Sequence, residues 1–166
     1  MRLTGHLVFA ISMAGLGILS LIYGDFAMNW QPVPPGIPGH AVLAYLSGVM
    51  LLAGGAGLLV RPTMTGAGLL LTLNLLVWLL LLQVPRVVMG GRHEVAWLGM
   101  GETLVLVSGA WTLFAASAAE ENRLRGWLAR HRVKLGSVLF ALALLPIGLS
   151  HFVYADVTAQ MTPSYL

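Results

Sequence analysis

Polar positions are rare along this chain, and apolar positions run on in blocks instead of alternating with the period of two that marks a half-buried strand. Five blocks approach the roughly 20 apolar residues that a helix needs to cross a bilayer core. They run from about Gly5 to Tyr23, His40 to Val60, Thr65 to Val84, Val95 to Ala118 and Leu135 to Tyr154. Each is bounded by a charge, a proline or an aromatic residue, as spans usually are. Within lipid a segment must satisfy its own backbone, and without a strand pattern only helices do so. The pattern predicts an all-α, polytopic membrane helix bundle. Its loops fall at Asp25–Gly39, at the short 61–64 turn, at Pro85–Glu94 and at Glu120–Lys134.

The first block is written twice. A shift of 131 residues sets Phe9 on Phe140, Ala10 on Ala141, Gly17 on Gly148, Tyr23 on Tyr154, Asp25 on Asp156 and Pro32 on Pro163. Gly5 and Gly136 extend the match upstream. Such self-similarity implies a repeated unit. The copies are the first and fifth spans, an offset of four, so both cross in the same direction and the repeat is parallel, not inverted. Residues 1–119 then read as a four-helix unit, 120–134 as a basic connector, and 135–166 as the first helix of a second, incomplete unit. The first block also reads as a retained helix and not a cleaved leader. No small-x-small site follows Tyr23-Gly24-Asp25-Phe26, and its twin lies inside the chain.

Composition sharpens the class. The chain is 58% hydrophobic and only 9% charged, against about 25% charged residues in a soluble domain. There is no cysteine, which excludes disulfides, iron–sulfur clusters, thiol redox chemistry and covalent c-type haem. The basic pI of 9.8 is no nucleic-acid signature, because the cations gather mostly in one membrane-flanking loop. Their distribution sets the expected orientation. With the N-terminus inside, Arg2, Arg61, Arg123, Arg125, Arg130, Arg132 and Lys134 face the cytoplasm, and only Arg86 and Arg92 face outward. The C-terminus of the chain then faces outward too. In the connector, Leu124, Trp127, Leu128 and Leu135 share one helical face, which fits a short interfacial helix with its arginines toward anionic lipid head groups. A plain positive-inside connector fits as well.

Ionisable groups inside spans are the default functional candidates, because burying them is costly. Glu102 lies about 10 Å below the outer end of the fourth span, where it needs a proton or a partner. Asp25 closes the first helix at the end that disfavours a negative charge, so it should answer to a cation such as Arg86 or Arg92, or to free loop amides. Tyr23 stands two residues before it, and Tyr154 and Asp156 repeat the arrangement. His151 lies just inside the outer end of the fifth span. The candidate ligand set is therefore Glu102, Asp25, Tyr23, Arg86, Arg92 and His151. Helix-bonding roles for the buried polar groups are the plainer alternative. Asn74 and Gln83 read as interhelical hydrogen-bonding residues. The loop Gln31–His40 has four prolines in seven residues and is rigid, either as a lid over the bundle mouth or as a linker. No histidine spacing supports a metal site, and no two histidines match in depth as bis-histidine haem requires. Glycine-rich faces at Gly48–Gly57 and Gly99–Gly109 predict close helix packing. Pro146 should bend the fifth span.

These residues resemble the DoxX-like membrane proteins. The features that carry the likeness are a first helix ending in Tyr23-Gly24-Asp25, a proline-containing outer loop, a glycine-rich second helix (Ser47-Gly48 to Gly57) and Gly101-Glu102 opening the fourth. The likeness covers about Gly5 to Ala118. It implies a four-helix bacterial inner-membrane bundle, with some relatives serving as small subunits of quinone-linked oxidoreductases or in redox-enzyme maturation. Three functions follow as expectations. One is a non-catalytic or quinone-interacting subunit of a membrane redox system. The second is a scaffold or chaperone-like partner of other membrane or redox subunits, without a small ligand. The third is a transporter or lipid-binding protein.

Overall fold

The computed structural model describes residues 4–27, 30–91, 93–122 and 126–161, with the side chains of Thr4, residues 120–130, 157, 158 and 161 outside the description. The helices are α1 (Thr4–Tyr23), α2 (His40–Leu58), α3 (Met64–Trp78), α4 (Val84–Gly90), α5 (Glu94–Asn122), α6 (Gly126–Val153) and α7 (Ala155–Met161). A 3₁₀ turn, Arg61–Thr63, leads into α3, and one π-helical stretch, Leu79–Gln83, joins α3 to α4. Five stretches are long and apolar enough to cross a membrane: Gly5–Tyr23, His40–Leu58, Arg61–Gly90, Glu94–Ala119 and His131–Val153. The described part is an all-helical protein of the membrane type. Its large apolar side chains turn outward on every span, as with Ile22, Val42, Leu81, Val95 and Leu145.

The core lies among α1, α2, α3 and α5, where Ala10, Met13, Leu51, Leu58, Leu71, Leu75, Trp78, Val107 and Ala110 pack out of solvent. Lipid gives no hydrophobic drive for helices to associate, so close backbone approach carries the packing. The glycines supply it. A Cβ on Gly17 would stand 2.5 Å from the Leu52 nitrogen and 2.6 Å from the Gly48 carbonyl oxygen. One on Gly55 would stand 2.5 Å from the Ala14 nitrogen, and one on Gly68 would stand 3.0 Å from the Phe114 backbone. The pairs 17 with 48, 54 with 71, 68 with 114 and 101 with 146 mean that each neighbouring pair of spans is antiparallel. α1 and α6 therefore run in the same direction, as the sequence predicts for the two copies. α6 packs on α5, and its turns reach α5 through Gly136, Ala143, Pro146 and Ile147.

Three local features depart from the sequence expectation. The third span does not end at Val84 but continues through Pro85 to Gly90, so most of the expected 85–94 loop is helix. A proline inside a helix loses one hydrogen bond and its ring strikes the carbonyl four residues back. The π stretch relieves this, since the Val84 N–H reaches the Leu79 carbonyl and the widened turn brings the chain to Pro85 at the start of a new α segment. Second, α6 begins at Gly126, and the later half of the connector is continuous with the fifth span. Its interfacial face lies outside the described side chains. Third, the twin helices end differently. Gly24 takes a left-handed φ of 64° and stops α1, with its N–H on the Ser20 carbonyl at 2.9 Å. Ala155 holds that position in the second copy, a residue that adopts such a φ only at a cost, and the chain goes on as α7.

Candidate functional site

The site begins where α1 stops. Beyond Gly24, Asp25 Oδ1 accepts the Phe26 N–H at 2.7 Å and lies 3.7 Å from His40 Nε2 at the start of α2. The Phe26 ring meets the His40 ring edge-on, with centroids 5.1 Å apart. Asp25 thus finds one of the loop amides expected as an alternative to an arginine, and an imidazole besides. The proline-rich loop is then tied down twice. Gln31 is fully buried; its Oε1 accepts the Ala27 N–H at 3.2 Å and its Nε2 donates to Ser47 Oγ of α2 at 2.7 Å. The Trp30 carbonyl accepts from Gln83 Nε2 at 3.1 Å, and Gln83 is itself fully buried in the π stretch. Arg86 Nη1 leans on Gln83 Oε1 at 3.4 Å, a weak bond. So Gln83 ties the loop and the next turn together, and its Oε1 also lies against Gly99 of α5. Four polar side chains and one loop carbonyl build a seal under the proline-rich loop.

Beneath that seal a groove of about 460 Å³ runs between α2 and α3. Phe26, Gln31, Val33 and Ile37 roof it, Leu43, Ser47 and Met50 line one wall, and Asn74, Trp78 and Leu82 line the other. The exposed Leu43, Leu46, Leu73, Val77 and Leu81 rim it, so its mouth faces the surface that lipid covers. The lining is apolar apart from Gln31, Ser47 and Asn74. Asn74 is 94% buried by its 6% exposure, and its Nδ2 has no hydrogen-bond partner. It sits near the middle of the Arg61–Gly90 span, where an unpaired amide costs most. Ser47 Oγ accepts from Gln31, which leaves its own proton to donate. The groove therefore combines an apolar lining with a buried amide that has no partner. None of its described lining residues titrates.

A second cavity, of about 630 Å³, lies on the other side of Phe26 and is lined by Leu16, Ser20, Tyr23, Asp25, Ala27 and Trp30. Tyr23 and Asp25 of the expected set share it. Glu102 lines neither cavity. It is half-buried on α5 beside Thr103, whose hydroxyl donates back to the Gly99 carbonyl at 2.9 Å. No ion pair joins it to Arg86 among the described residues, and Arg92 lies outside them. His151 is exposed in the last turn of α6. Its neighbour Tyr154, the twin of Tyr23, has its phenol held above the ordinary value of 10.0, by partial burial first and by the Glu94 side chain second. Both Glu94 oxygens are shut away from water. Asp156 is exposed on α7. No cluster of three potential metal ligands occurs among the described residues.

Gln31 and Ser47 escaped the sequence reading. One sat in a loop and the other among small residues, and only their pairing across 16 positions makes them a site. Asn74 was visible, but nothing in the sequence shows that its amide lacks a partner. No protein-family model, curated protein or solved structure matches the chain.

Proposed function

We propose that this chain is a DoxX-like protein of a bacterial inner membrane, with its N-terminus cytoplasmic. On this reading it binds a quinone as a non-catalytic member of a membrane redox system. The observation that carries the proposal is the unpartnered Asn74 amide in the wall of the α2–α3 groove. A plain acyl chain has no acceptor to meet it. A quinone has carbonyl oxygens on a flat ring, and an isoprenoid tail that can leave through an apolar rim into lipid. The volume falls within the range of ordinary small-molecule sites, about 300–1,000 Å³. The absence of titratable groups among the described lining residues favours holding the ring over reducing it. Proton exchange would have to come from the neighbouring cavity with Tyr23 and Asp25, across Phe26. The outward position of the loop rests on the excess of inner cations, and the redox setting rests on the family resemblance.

Protein purified in mild detergent should carry quinone by mass spectrometry of its extracted small molecules. Added quinone should raise its melting temperature, and Asn74→Leu should abolish that rise. Phospholipid alone in the extract, with no thermal response to quinone, would move the protein to the lipid-binding class.

A further inference from the structure

The cavity on the other side of Phe26 from the groove has a chemistry of its own. Its volume is about 630 Å³, and Tyr23, Phe26 and Trp30 line it together with Asp25. The faces of an aromatic ring are negative, so a cation within about 6 Å of the ring centre is attracted to it. Asp25 adds a full charge, and its side chain is 64% exposed. The Phe26 N–H and His40 Nε2 both meet Asp25 at Oδ1, which leaves Oδ2 for a guest. From Leu3 to Val60, Asp25 is the only Asp, Glu, Lys or Arg. So α1, α2 and the loop between them carry no lysine or arginine to neutralise it. Arg86 of α4 is engaged with Gln83 and does not line the cavity. Leu16 and Leu19 carry the lining down α1, and Leu19 is half exposed on the flank that lipid covers. Since Gly5–Tyr23 is long enough to cross the bilayer, the carboxylate just beyond it lies at the depth of lipid head groups.

We propose that this cavity binds an alkylated ammonium group, held between the Asp25 carboxylate and the aromatic side chains of Tyr23, Phe26 and Trp30. A bare ammonium brings three N–H donors that must all find acceptors. A methylated one brings none, and its methyl groups meet rings and leucines while its charge meets the carboxylate. Aromatic linings are used for quaternary ammonium ligands for this reason. The guest chemistry is that of choline, either free or as the head group of a phospholipid whose chains run down α1 past Leu16 and Leu19. The proposal does not rest on the ligand of the α2–α3 groove. Phe26 belongs to both linings, and the other lining residues differ.

The test uses the full chain in nanodiscs of phosphatidylglycerol, a lipid without an ammonium group, titrated with radiolabelled choline. Choline should bind saturably, and dimethylbutanol, its uncharged carbon isostere, should compete at least about tenfold more weakly. Asp25→Asn keeps an oxygen for the Phe26 N–H and should lower choline affinity at least about tenfold. Trp30→Leu should lower it about threefold or more. Tyr23→Leu should do the same, and at 76% exposure it leaves the fold intact if either other variant misfolds. Replacing part of the lipid by phosphatidylcholine separates the two sources. Displacement of choline assigns the site to the head group, and undiminished binding assigns it to the free cation; both uphold an ammonium site. No saturable choline binding, equal competition by dimethylbutanol, or unchanged affinity in Asp25→Asn overturns the proposal.

Discussion

Gly17→Ala is the sharpest test of how these helices hold together, because Gly15 two residues away is its internal control. The new Cβ at position 17 would lie 2.5 Å from the Leu52 nitrogen, 2.6 Å from the Gly48 oxygen and 2.9 Å from the Leu52 Cα, all of them backbone atoms that cannot turn aside. Restoring ordinary contact of 3.4 Å or more requires α1 and α2 to separate by about an ångström. A gap of about 0.5–1 Å forfeits a quarter to a half of each contact's attraction. Over the few dozen atom pairs at this crossing that is about 1–3 kcal/mol, the ordinary range for overpacking. Ala at position 15 meets nothing within 4 Å and gains helix propensity of up to about 1 kcal/mol in an unconstrained helix. Unfolding in mixed detergent micelles, followed by tryptophan fluorescence, reads both. The expected result is a loss of at least about 1 kcal/mol for Gly17→Ala and no loss for Gly15→Ala. Equal stability for the two variants would refute the packing argument.

Three further outcomes follow from the polar groups. Gln83→Leu leaves the Trp30 carbonyl without its donor and should cost about 1–3 kcal/mol, with faster protease cleavage in the 25–39 loop. Asn74→Leu removes an unpaired buried amide, so the ligand-free protein should melt higher than wild type, by an amount equivalent to about 1–3 kcal/mol. Glu94→Gln removes the carboxylate that helps raise the Tyr154 phenol, so ultraviolet titration should show one tyrosine ionising at lower pH; the shift stays partial because burial is the larger cause.

The spans were legible because a bilayer demands long apolar runs, and the five runs in the sequence match the five long apolar helices among the described residues. Their ends were less so. Pro85 reads as a stop, and only the π stretch before it lets the helix continue. The Tyr-x-Asp repeat stands beside a span count that by itself gives α1 and α6 one direction. It misled about their ends, where Gly24 turns the chain and Ala155 does not. The groove was hidden for a different reason. Gln31, Ser47 and Asn74 come from a loop and two helices, and their meeting depends on how deep each helix sits. No local pattern encodes that depth. Glu102, the most conspicuous charge in the sequence, stands apart from both of these cavities.

The claim that most needs testing is that the ligand sits between α2 and α3. A photoreactive quinone analogue, illuminated with the protein in native-like lipid and mapped by peptide mass spectrometry, addresses it directly. The account predicts label on residues 43–50 and 73–82, displaced by excess unlabelled quinone. Label concentrated at 19–30 or around Glu102, or label that excess quinone does not displace, would contradict it.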